Sequence, residues 1–374
     1  MKAIQSYFFL ISFIFLGTSI LNAQGCLPGG LSISSQSEID QFQTNYSACT
    51  NIIGDLSIFG SDIINLNGLS NIQFIGGNLS VDGTNCTSLQ GLQNLVQVGG
   101  NVYFPNNAEI SNLTGLTKLK IIGGDFDVSY APSFLNFNGL NALEQIGGAL
   151  RVYKNNLMTD ISDLSAVDSL GGLIVFMNPK MASMSGLVNL KVITGSFNCS
   201  ENNKLLNFNQ LSKLEKIAYS FILNANPILN SLSGFQGMTT ITESNSPEIT
   251  DNPLLINCNF PAMCNYLAHN GTITLSGNGA GCNSSADLIS SCTATSISTN
   301  EIPDIVIHLI GKQLVIKSDK PIRNFILRNV SGMEILQSKN NCVTMDLKDI
   351  QEGVYFVDVS IENQNIVKKI VLSK

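Results

Sequence analysis

The chain has 374 residues, of which 44% are hydrophobic and only 13% are charged, and its formal net charge is -7. This length and hydrophobic content exclude a wholly disordered polymer and leave room for two or three domains. Binding to nucleic acid requires clustered Lys and Arg side chains, and the sequence has no basic stripe, so nucleic acid is excluded as an expected partner.

The first 24 residues have the features of a secretory signal peptide. Lys2 precedes an apolar run from Tyr7 to Leu16, and small and polar residues continue to Gln24. The run is shorter than the roughly 20 residues that a membrane-spanning helix needs, and no later segment reaches that length, so no transmembrane segment is predicted in the mature chain. Processing as a lipoprotein at Cys26 is an alternative, although Gln24 stands where a small or apolar residue is favoured.

The segment from Gly54 to about Asn252 repeats itself every 23 or 24 residues. A glycine pair begins most units and is followed by a short alternating strand, an Asn-rich turn and a Leu-x-Gly-Leu-x-x-Leu segment. One such coil cannot bury its own apolar side chains, whereas stacked coils share a core and align their strands in a parallel sheet. The sequence therefore predicts a solenoid of at least eight coils. The glycine pairs are Gly76-Gly77, Gly99-Gly100, Gly123-Gly124, Gly147-Gly148 and Gly171-Gly172, with Thr194-Gly195 in register.

An asparagine recurs directly after the strand in most units. A short amide side chain can satisfy backbone groups both in its own turn and in the adjacent coil. We therefore interpret these residues as a ladder that stabilises the stack, rather than as ligand-binding groups. They are Asn107, Asn155, Asn178, Asn202, Asn226 and Asn252.

Six of the nine cysteines mark the two ends of the array. Cysteines of an exported chain are expected first as disulfides, and open solenoid ends must be covered. A Cys26–Cys49 bridge is expected to close the N-terminal cap. The four later cysteines allow three pairings. The preferred one is Cys258–Cys282 with Cys264–Cys292.

The other three cysteines, Cys86, Cys199 and Cys342, are scattered singly along the chain. A buried free thiol behaves as a small hydrophobic group, so each is expected to fill a core. Because the total is odd, at least one cysteine stays unpaired.

Outward positions of the predicted parallel sheet form rows in which successive residues lie about 4.8 Å apart. Tyr and Arg are preferred interface anchors, and they stand out on a sheet rich in Ser, Asn and Asp. A patch on the middle coils is therefore the candidate binding surface, and the alternative is a chance scatter of apolar surface residues. One predicted row is Ser57, Ser80, Tyr103, Asp127, Arg151, Val175, Asn198 and Ile222, and its companion is Phe59, Asp82, Pro105, Ser129, Tyr153, Met177, Ser200 and Asn224. The candidate patch consists of Phe59, Tyr103, Asp127, Arg151, Tyr153 and Met177.

The glycine-led strands, the Leu-x-Gly-Leu-x-x-Leu segments and the cysteine caps resemble receptor L domains, which are relatives of leucine-rich repeats. The resemblance covers roughly residues 25–292 and implies a mainly β fold, a parallel β-solenoid of right-handed coils. Members of that family are binding modules without catalytic residues. The resemblance therefore implies a binding role, and it carries over no active site and no cofactor.

A Ser/Thr-rich linker is predicted at residues 293–304, followed by a new domain at 305–374. Its alternating apolar runs, separated by turn residues, predict a small antiparallel β-sandwich. The order of its motifs resembles the type A C-terminal sorting domain of type IX secretion, although the Pro-Asn-Pro sequence common near the start of that domain is missing. The motifs are Val330-Ser331-Gly332, Met345-Asp346-Leu347, Gly353-Val354-Tyr355-Phe356 and Lys368-Lys369-Ile370-Val371.

The sorting-domain resemblance implies the type IX secretion machinery as a partner and the outer cell surface as the destination. In that family the domain is usually removed and the remainder is attached to surface lipopolysaccharide. An ordinary adhesion sandwich is the alternative interpretation. The residues that represent the sorting motifs are Gly332, Gly353, Tyr355, Lys368 and Lys369.

No familiar catalytic motif is present in the sequence. His269 and His308 fall in different predicted domains, and no metal site is expected. Asp125 and Asp127 are predicted on one face of a strand, in a pattern suited to calcium or acid–base chemistry, but isolated carboxylates on a sheet are usually just solvated. The sequence predicts a non-enzymatic recognition or adhesion protein that binds a protein or glycan. The alternatives are a structural surface-layer component and, less favoured, a β-solenoid polysaccharide-cleaving enzyme.

Overall fold

A computed structural model describes residues 25–241 and 246–295, and residues 305–372 with short gaps. The predicted signal peptide, linker residues 296–304, Gly332 and Cys342 lie outside the described residues. The chain divides into two compact units between Cys292 and Thr293.

The first unit is built on an 11-stranded parallel sheet. Each strand pairs with its equivalent in the next coil without offset, so that Leu150 lies between Phe126 and Leu173. We number the coils 1 to 11 by these strands. In chain order they are Leu31–Ile33, Leu56–Phe59, Leu79–Asp82, Val102–Tyr103, Phe126–Ser129, Ala149–Tyr153, Gly172–Phe176, Phe197–Ser200, Phe221–Asn224, Glu248–Thr250 and Thr274–Ser276.

A second, two-residue strand precedes the main strand in nine of the coils, and five of the Leu-rich segments form single 3-10 turns. The short strands make two further parallel sheets. The five-stranded one consists of Asn51–Ile52, Phe74–Ile75, Gln97–Val98, Ile121–Ile122 and Gln145–Ile146, and the four-stranded one of Ser169–Leu170, Val192–Ile193, Lys216–Ile217 and Thr240–Ile241. The 3-10 turns are Asn67–Leu69, Thr114–Leu116, Ser185–Leu187, Asn209–Leu211 and Ser233–Phe235.

One continuous apolar core runs from Ile33 to Leu288 through all the coils. The glycine of the Leu-rich segments is required by the close approach of neighbouring coils. A Cβ atom at Gly186 would lie 1.7 Å from the carbonyl oxygen of Ile161, and one at Gly234 would lie 1.7 Å from that of Phe208. The predicted solenoid with stacked, mutually buried coils is confirmed.

The asparagine ladder predicted from the sequence is present and completely buried. In a representative step, the Asn178 backbone N–H donates to Asn202 Oδ1 at 3.1 Å, and Asn178 Nδ2 donates to the carbonyl oxygens of Val152 and Phe176 at 3.0 and 3.1 Å. Equivalent backbone bonds run without interruption from Ala131 to Asn278. Each amide therefore satisfies buried backbone groups of two coils.

A second polar ladder, which was not predicted, lies at the start of the strands in the earlier coils. Asp55 Oδ1 accepts the backbone N–H of Asn78 at 2.6 Å, and Asn78 Oδ1 accepts that of Asn101 at 2.8 Å. The series continues through Asp125 and ends on the backbone N–H of Ala149. The residue after the glycine pair therefore links coils 2 to 6.

Helices and disulfides cover both ends of the solenoid. Helix α1 (Gln36–Asn45) begins with a capping box formed by Ser35 and Glu38 and buries two apolar side chains over the first coils. Helices α2 (Pro261–Ala268) and α3 (Ser285–Thr295) follow the last Asn-rich turns. The disulfides are the preferred pairs, Cys26–Cys49, Cys258–Cys282 and Cys264–Cys292.

The linker predicted to begin at residue 293 starts within helix α3. Thr293 to Thr295 continue that helix, whose first turn is capped by Ser284 Oγ accepting the backbone N–H of Asp287. The disulfide at Cys292 holds its last turns to α2.

Cys86 and Cys199 are free and fully buried, as expected for cysteines that fill the core. Burial raises the pKa of both thiols, which keeps them protonated and unreactive at neutral pH.

The second unit contains a three-stranded and a four-stranded antiparallel sheet, as expected for the small sandwich. Tyr355 lies in its core and donates a hydrogen bond from its hydroxyl to the carbonyl oxygen of Gln351 at 2.9 Å. Gly353 begins the strand that contains Tyr355, and Lys368 and Lys369 lie in the last strand. The strands are Ile305–Ile310, Gln313–Ser318 and Thr344–Asp346 in the first sheet, and Ile322–Asn329, Glu334–Lys339, Gly353–Ile361 and Gln364–Leu372 in the second.

Candidate binding site

The outward rows of the main sheet follow the predicted order except in coil 7. There Ile174, not Val175, pairs with Arg151, and Phe176, not Met177, pairs with Tyr153. Val175 is completely buried in the core. The predicted positions of Val175 and Met177 are therefore wrong by one residue.

The shift in coil 7 has a simple cause in the sequence. In earlier coils one residue separates the glycine pair from the first inward side chain, and in coil 6 that residue is Ala149. In coil 7 Gly172 itself pairs with Ala149, and Leu173 follows at once as the first inward residue. A count that starts from the glycine pair therefore places the rest of this strand one residue late.

An aromatic cluster lies on coils 5 to 7 at the ends of the strands. The rings of Tyr153 and Phe176 are stacked with centroids 5.2 Å apart, and the Tyr130 ring meets that of Tyr153 edge-on at 5.1 Å. The Lys154 ammonium lies 5.1 Å from the centre of the Tyr130 ring and 5.0 Å from that of Tyr153. We call these four residues the aromatic cluster.

The Lys154 ammonium and the Tyr153 phenol shift each other's pKa. Hydrogen bonding with Tyr153 is the main cause that raises the pKa of Lys154, and the same contact lowers the pKa of the Tyr153 phenol. Lys154 therefore stays charged over the physiological range and is attracted to the faces of both rings.

An ion pair lies beside the aromatic cluster on the other outward row. Arg151 Nη1 bonds Asp125 Oδ2, while Asp125 Oδ1 accepts the backbone N–H of Ala149 at 2.7 Å. Asp127 pairs with Arg151 across the strands, yet Asp127 Oδ1 is buried and has no hydrogen-bond partner within the described part of the chain. Asp125 and Arg151 are thus fixed by partners, whereas Asp127 is incompletely solvated.

The two aspartates titrate in opposite directions. Burial would raise the pKa of Asp125, but the hydrogen bonds from Arg151 and from the Ala149 backbone, with the Arg151 charge, lower it overall. Burial raises the pKa of Asp127, and Ser129 and Arg151 offset this only in part. Asp125 serves the second ladder and the ion pair, which gives it a structural task.

A groove runs along the turns that follow the main strands, next to the aromatic cluster. Its volume is about 680 Å³, and a further stretch of about 410 Å³ continues it past Asn203 and Ala225. Two columns of side chains line it, one residue before and one residue after each position of the asparagine ladder. The column before the ladder is Tyr130, Lys154, Met177, Glu201 and Ala225, and the column after it is Pro132, Asn156, Pro179 and Asn203. We call this the turn groove.

The structure brings together only part of the predicted patch. Asp127 and Arg151 are neighbours, and Tyr103 pairs with Asp127 in the same row. Met177 belongs to the turn groove. Phe59 is exposed in coil 2, four coils before Tyr153, and lies apart from the others.

Sequence reasoning missed Tyr130, Lys154 and Phe176. Tyr130 and Lys154 occupy the position directly before a ladder residue, Ala131 or Asn155, so the phase of the ladder was a usable signal. Phe176 was missed through the one-residue shift of coil 7.

Two parts of the chain match known protein families. A receptor L domain matches residues 48–120, and a secretion system C-terminal sorting domain matches residues 311–373. These are the two resemblances identified from the sequence. No curated protein matches the chain.

The matches define a class of protein, a secreted protein that is attached to the cell surface, and both matched domains are of non-catalytic kinds. The predicted route of export and the predicted location are confirmed at this level. Among the described residues, no helix combines the length and the apolar character that crossing a bilayer requires.

Proposed function

We propose that this chain is a recognition or adhesion protein that binds an extracellular protein or glycan through the middle coils of its solenoid. Residues 25–292 form the recognition module, and residues 305–374 deliver it through the type IX secretion machinery. The observation that carries the proposal is the aromatic cluster, in which three rings and one ammonium are held together at the surface.

Aromatic rings held in a fixed arrangement suit recognition, because little conformational entropy is lost when a partner contacts them. Tyr130 is 46% exposed, and its neighbours Tyr153 and Phe176 are partly exposed. A ring face can receive either a sugar ring or an apolar side chain, so the cluster serves both classes of partner. Arg151 and Asp127 add a polar border on the adjacent row.

A catalytic role is not part of the proposal. Asp125 is committed to Arg151 and to the Ala149 backbone, so it lacks the freedom of a general base. Asp127 is a single carboxyl of raised pKa, whereas most glycoside hydrolases use two carboxyl groups that act together.

The test is binding of the purified full chain to an array of extracellular glycans and to immobilised surface proteins. Tyr153→Ala is expected to weaken the strongest interaction at least about tenfold, because an aromatic anchor contributes roughly 2 kcal/mol or more at an interface centre. Phe59→Ala is the matched control, since Phe59 is an exposed ring on the same row of a distant coil. It is expected to leave binding unchanged.

Three results would contradict the proposal. Equal loss of binding in both variants would remove the aromatic cluster as the site. Self-association of the purified chain that Tyr153→Ala abolishes, with no binding to the arrays, would favour a structural surface layer. Polysaccharide turnover that is lost in Asp127→Asn would establish an enzyme.

A further inference from the structure

The turn groove is built where glycine would be the least strained residue. The residue before each ladder position has a positive φ, and coils 3 and 11 have Gly83 and Gly277 there, at 60° and 66°. The middle coils instead have large side chains at this position, among them Tyr130, Lys154 and Met177, with φ between 53° and 57°. Bulky residues seldom adopt this conformation, and such strain concentrates at functional sites.

The opposite wall of the groove alternates between two residue types. Pro132, Asn156, Pro179, Asn203 and Pro227 occupy the same position in coils 5 to 9, and Pro253 in coil 10 ends the alternation. Since neighbouring coils are about 4.8 Å apart, each residue type recurs about every 9.6 Å. The groove therefore presents an apolar ring and a free amide in alternation, with a repeat of two coils.

The two amides of this wall differ from those of the ladder. Asn156 and Asn203 are exposed, and within the described residues neither side chain has a hydrogen bond, whereas Asn155 and Asn202 beside them are buried and fully bonded. An amide offers both a donor and an acceptor, which matches a hydroxyl group that does the same. The charges of Lys154 and Glu201 in the groove cancel, and Asp251 follows further along, so an anionic chain is disfavoured.

We propose that the turn groove binds an uncharged, linear β-1,4-linked glycan that lies along coils 5 to 9. Two coils span about 9.6 Å. The disaccharide of such an extended chain is only slightly longer, so over the short groove alternate sugar rings meet prolines and their neighbours meet amides. Tyr130 lines the groove at its coil 5 end. This inference rests on the proposed function and names the ligand class and its path.

Peptides are the competing occupants. An extended strand repeats every two residues at about 6.7 Å, which does not match two coils. A polyproline helix repeats every three residues at about 9.3 Å, which does match, but its prolines lack N–H donors and would leave the Asn156 and Asn203 oxygens unpaired. The glycan is therefore favoured, and a proline-rich peptide must be included in the test.

The test is calorimetric titration of the full chain with four hexasaccharides. Two are β-1,4-linked, of glucose and of N-acetylglucosamine, and two controls are α-1,4-linked and β-1,3-linked glucose. Binding is expected for at least one β-1,4-linked hexamer and for neither control, because only the β-1,4 chain is straight with the two-coil repeat.

Variants then locate the binding site. Asn156→Ala and Asn203→Ala are each expected to weaken binding about three- to tenfold, as for the loss of one or two hydrogen bonds. Asn230→Ala is the matched control, because Asn230 is an exposed asparagine of coil 9 that does not line the groove. The Asn230→Ala variant is expected to bind the hexamer with the same affinity as the unchanged chain.

Equal binding of all four hexamers would overturn the inference, as would binding of a proline-rich decapeptide that the same two variants weaken. If the hexamers fail to bind while other array ligands bind and are lost in Tyr153→Ala, the groove inference fails and the proposed function stands.

Discussion

The two polar ladders of the solenoid offer a direct comparison between its earlier and later coils. The later coils are linked by asparagines that are completely buried and bond two backbone groups besides their neighbour. The earlier coils are linked by residues such as Asn78, which stay partly open to water. Loss of an amide is thus expected to reduce the free energy of unfolding much more in the buried ladder than in the exposed one. A buried backbone group that loses its partner cannot form a hydrogen bond with water instead.

The two ladders overlap at the candidate site. The exposed ladder ends on Ala149 of coil 6, and the uninterrupted part of the buried ladder begins at Ala131 of coil 5. Arg151 bonds Asp125, the last acidic residue of the exposed ladder, and Tyr130 directly precedes the start of the uninterrupted part of the buried ladder. The middle coils are therefore linked to their neighbours at both ends of their strands.

The largest effect is expected for Asn202→Ala in the buried ladder. The change leaves the Asn178 N–H and the carbonyl oxygen of Val175 without these partners inside the core, while the carbonyl oxygen of Ser200 keeps the backbone N–H of Met177. The expected loss in free energy of unfolding is about 3 kcal/mol or more, since each unsatisfied buried group costs about 1–3 kcal/mol. Denaturant unfolding followed by circular dichroism measures it.

Asn78→Ala is the matched control for that prediction. It removes the acceptor of the Asn101 N–H in the exposed ladder, where water can replace the lost bond. The expected loss is only about 1 kcal/mol. Equal losses in the two variants would show that the ladders do not differ in the way their burial predicts.

A smaller effect is expected from exchanges in the column of positive φ. Ala225 has φ 54°, so Ala225→Gly relieves strain and is expected to raise the free energy of unfolding by up to about 1 kcal/mol. Gly83 has φ 60° and open space around its Cα, so Gly83→Ala is expected to lower it by a similar amount through conformation alone. Thermal unfolding of the two variants beside the unchanged chain checks both signs, and a shift in the same direction for both would refute the strain argument.

The smallest effect concerns pH and Asp127. Its folded pKa is raised by burial, so the folded state binds more protons than the unfolded state, and stability falls as pH rises from the ordinary carboxyl pKa of 3.8 through the folded pKa. Asp127→Asn removes this fall. The melting temperature of the variant relative to the unchanged chain is therefore expected to be higher at pH 7 than at pH 4, and an identical difference at both values would argue against the raised pKa.

Asp125 titrates with the opposite sign and is the internal reference for that measurement. Its folded pKa is lowered, so its contribution to stability is present above the unfolded pKa and is lost as pH falls through the folded pKa. The melting temperature of Asp125→Asn relative to that of the unchanged chain is therefore expected to be lower at pH 7 than at pH 3.

The sequence was sufficient for the period, the inward and outward alternation and the asparagine ladder, because each of these depends on residues within one coil. Contacts between coils were harder to predict. The aromatic cluster requires Tyr130, Tyr153 and Phe176 to be in register across three coils, and one missing residue before Leu173 was enough to misplace Phe176. The second ladder was missed because its members are a mixture of Asp and Asn, as in Asn101 and Asp125, rather than one residue type.

The direction of the bonds in the buried ladder limits where the array can end. Each of its oxygens accepts an N–H from the preceding coil, so a coil is satisfied only when its successor is in place. Asn278 completes the series, and its own N–H is taken by Asn283 beside the Cys258–Cys282 disulfide. Whole coils can be duplicated or deleted within the array without breaking the series, but a chain cut before Asn278 leaves the Asn252 N–H without its acceptor and opens the end of the core. Repeat number is thus free to vary, and the terminal cap is not.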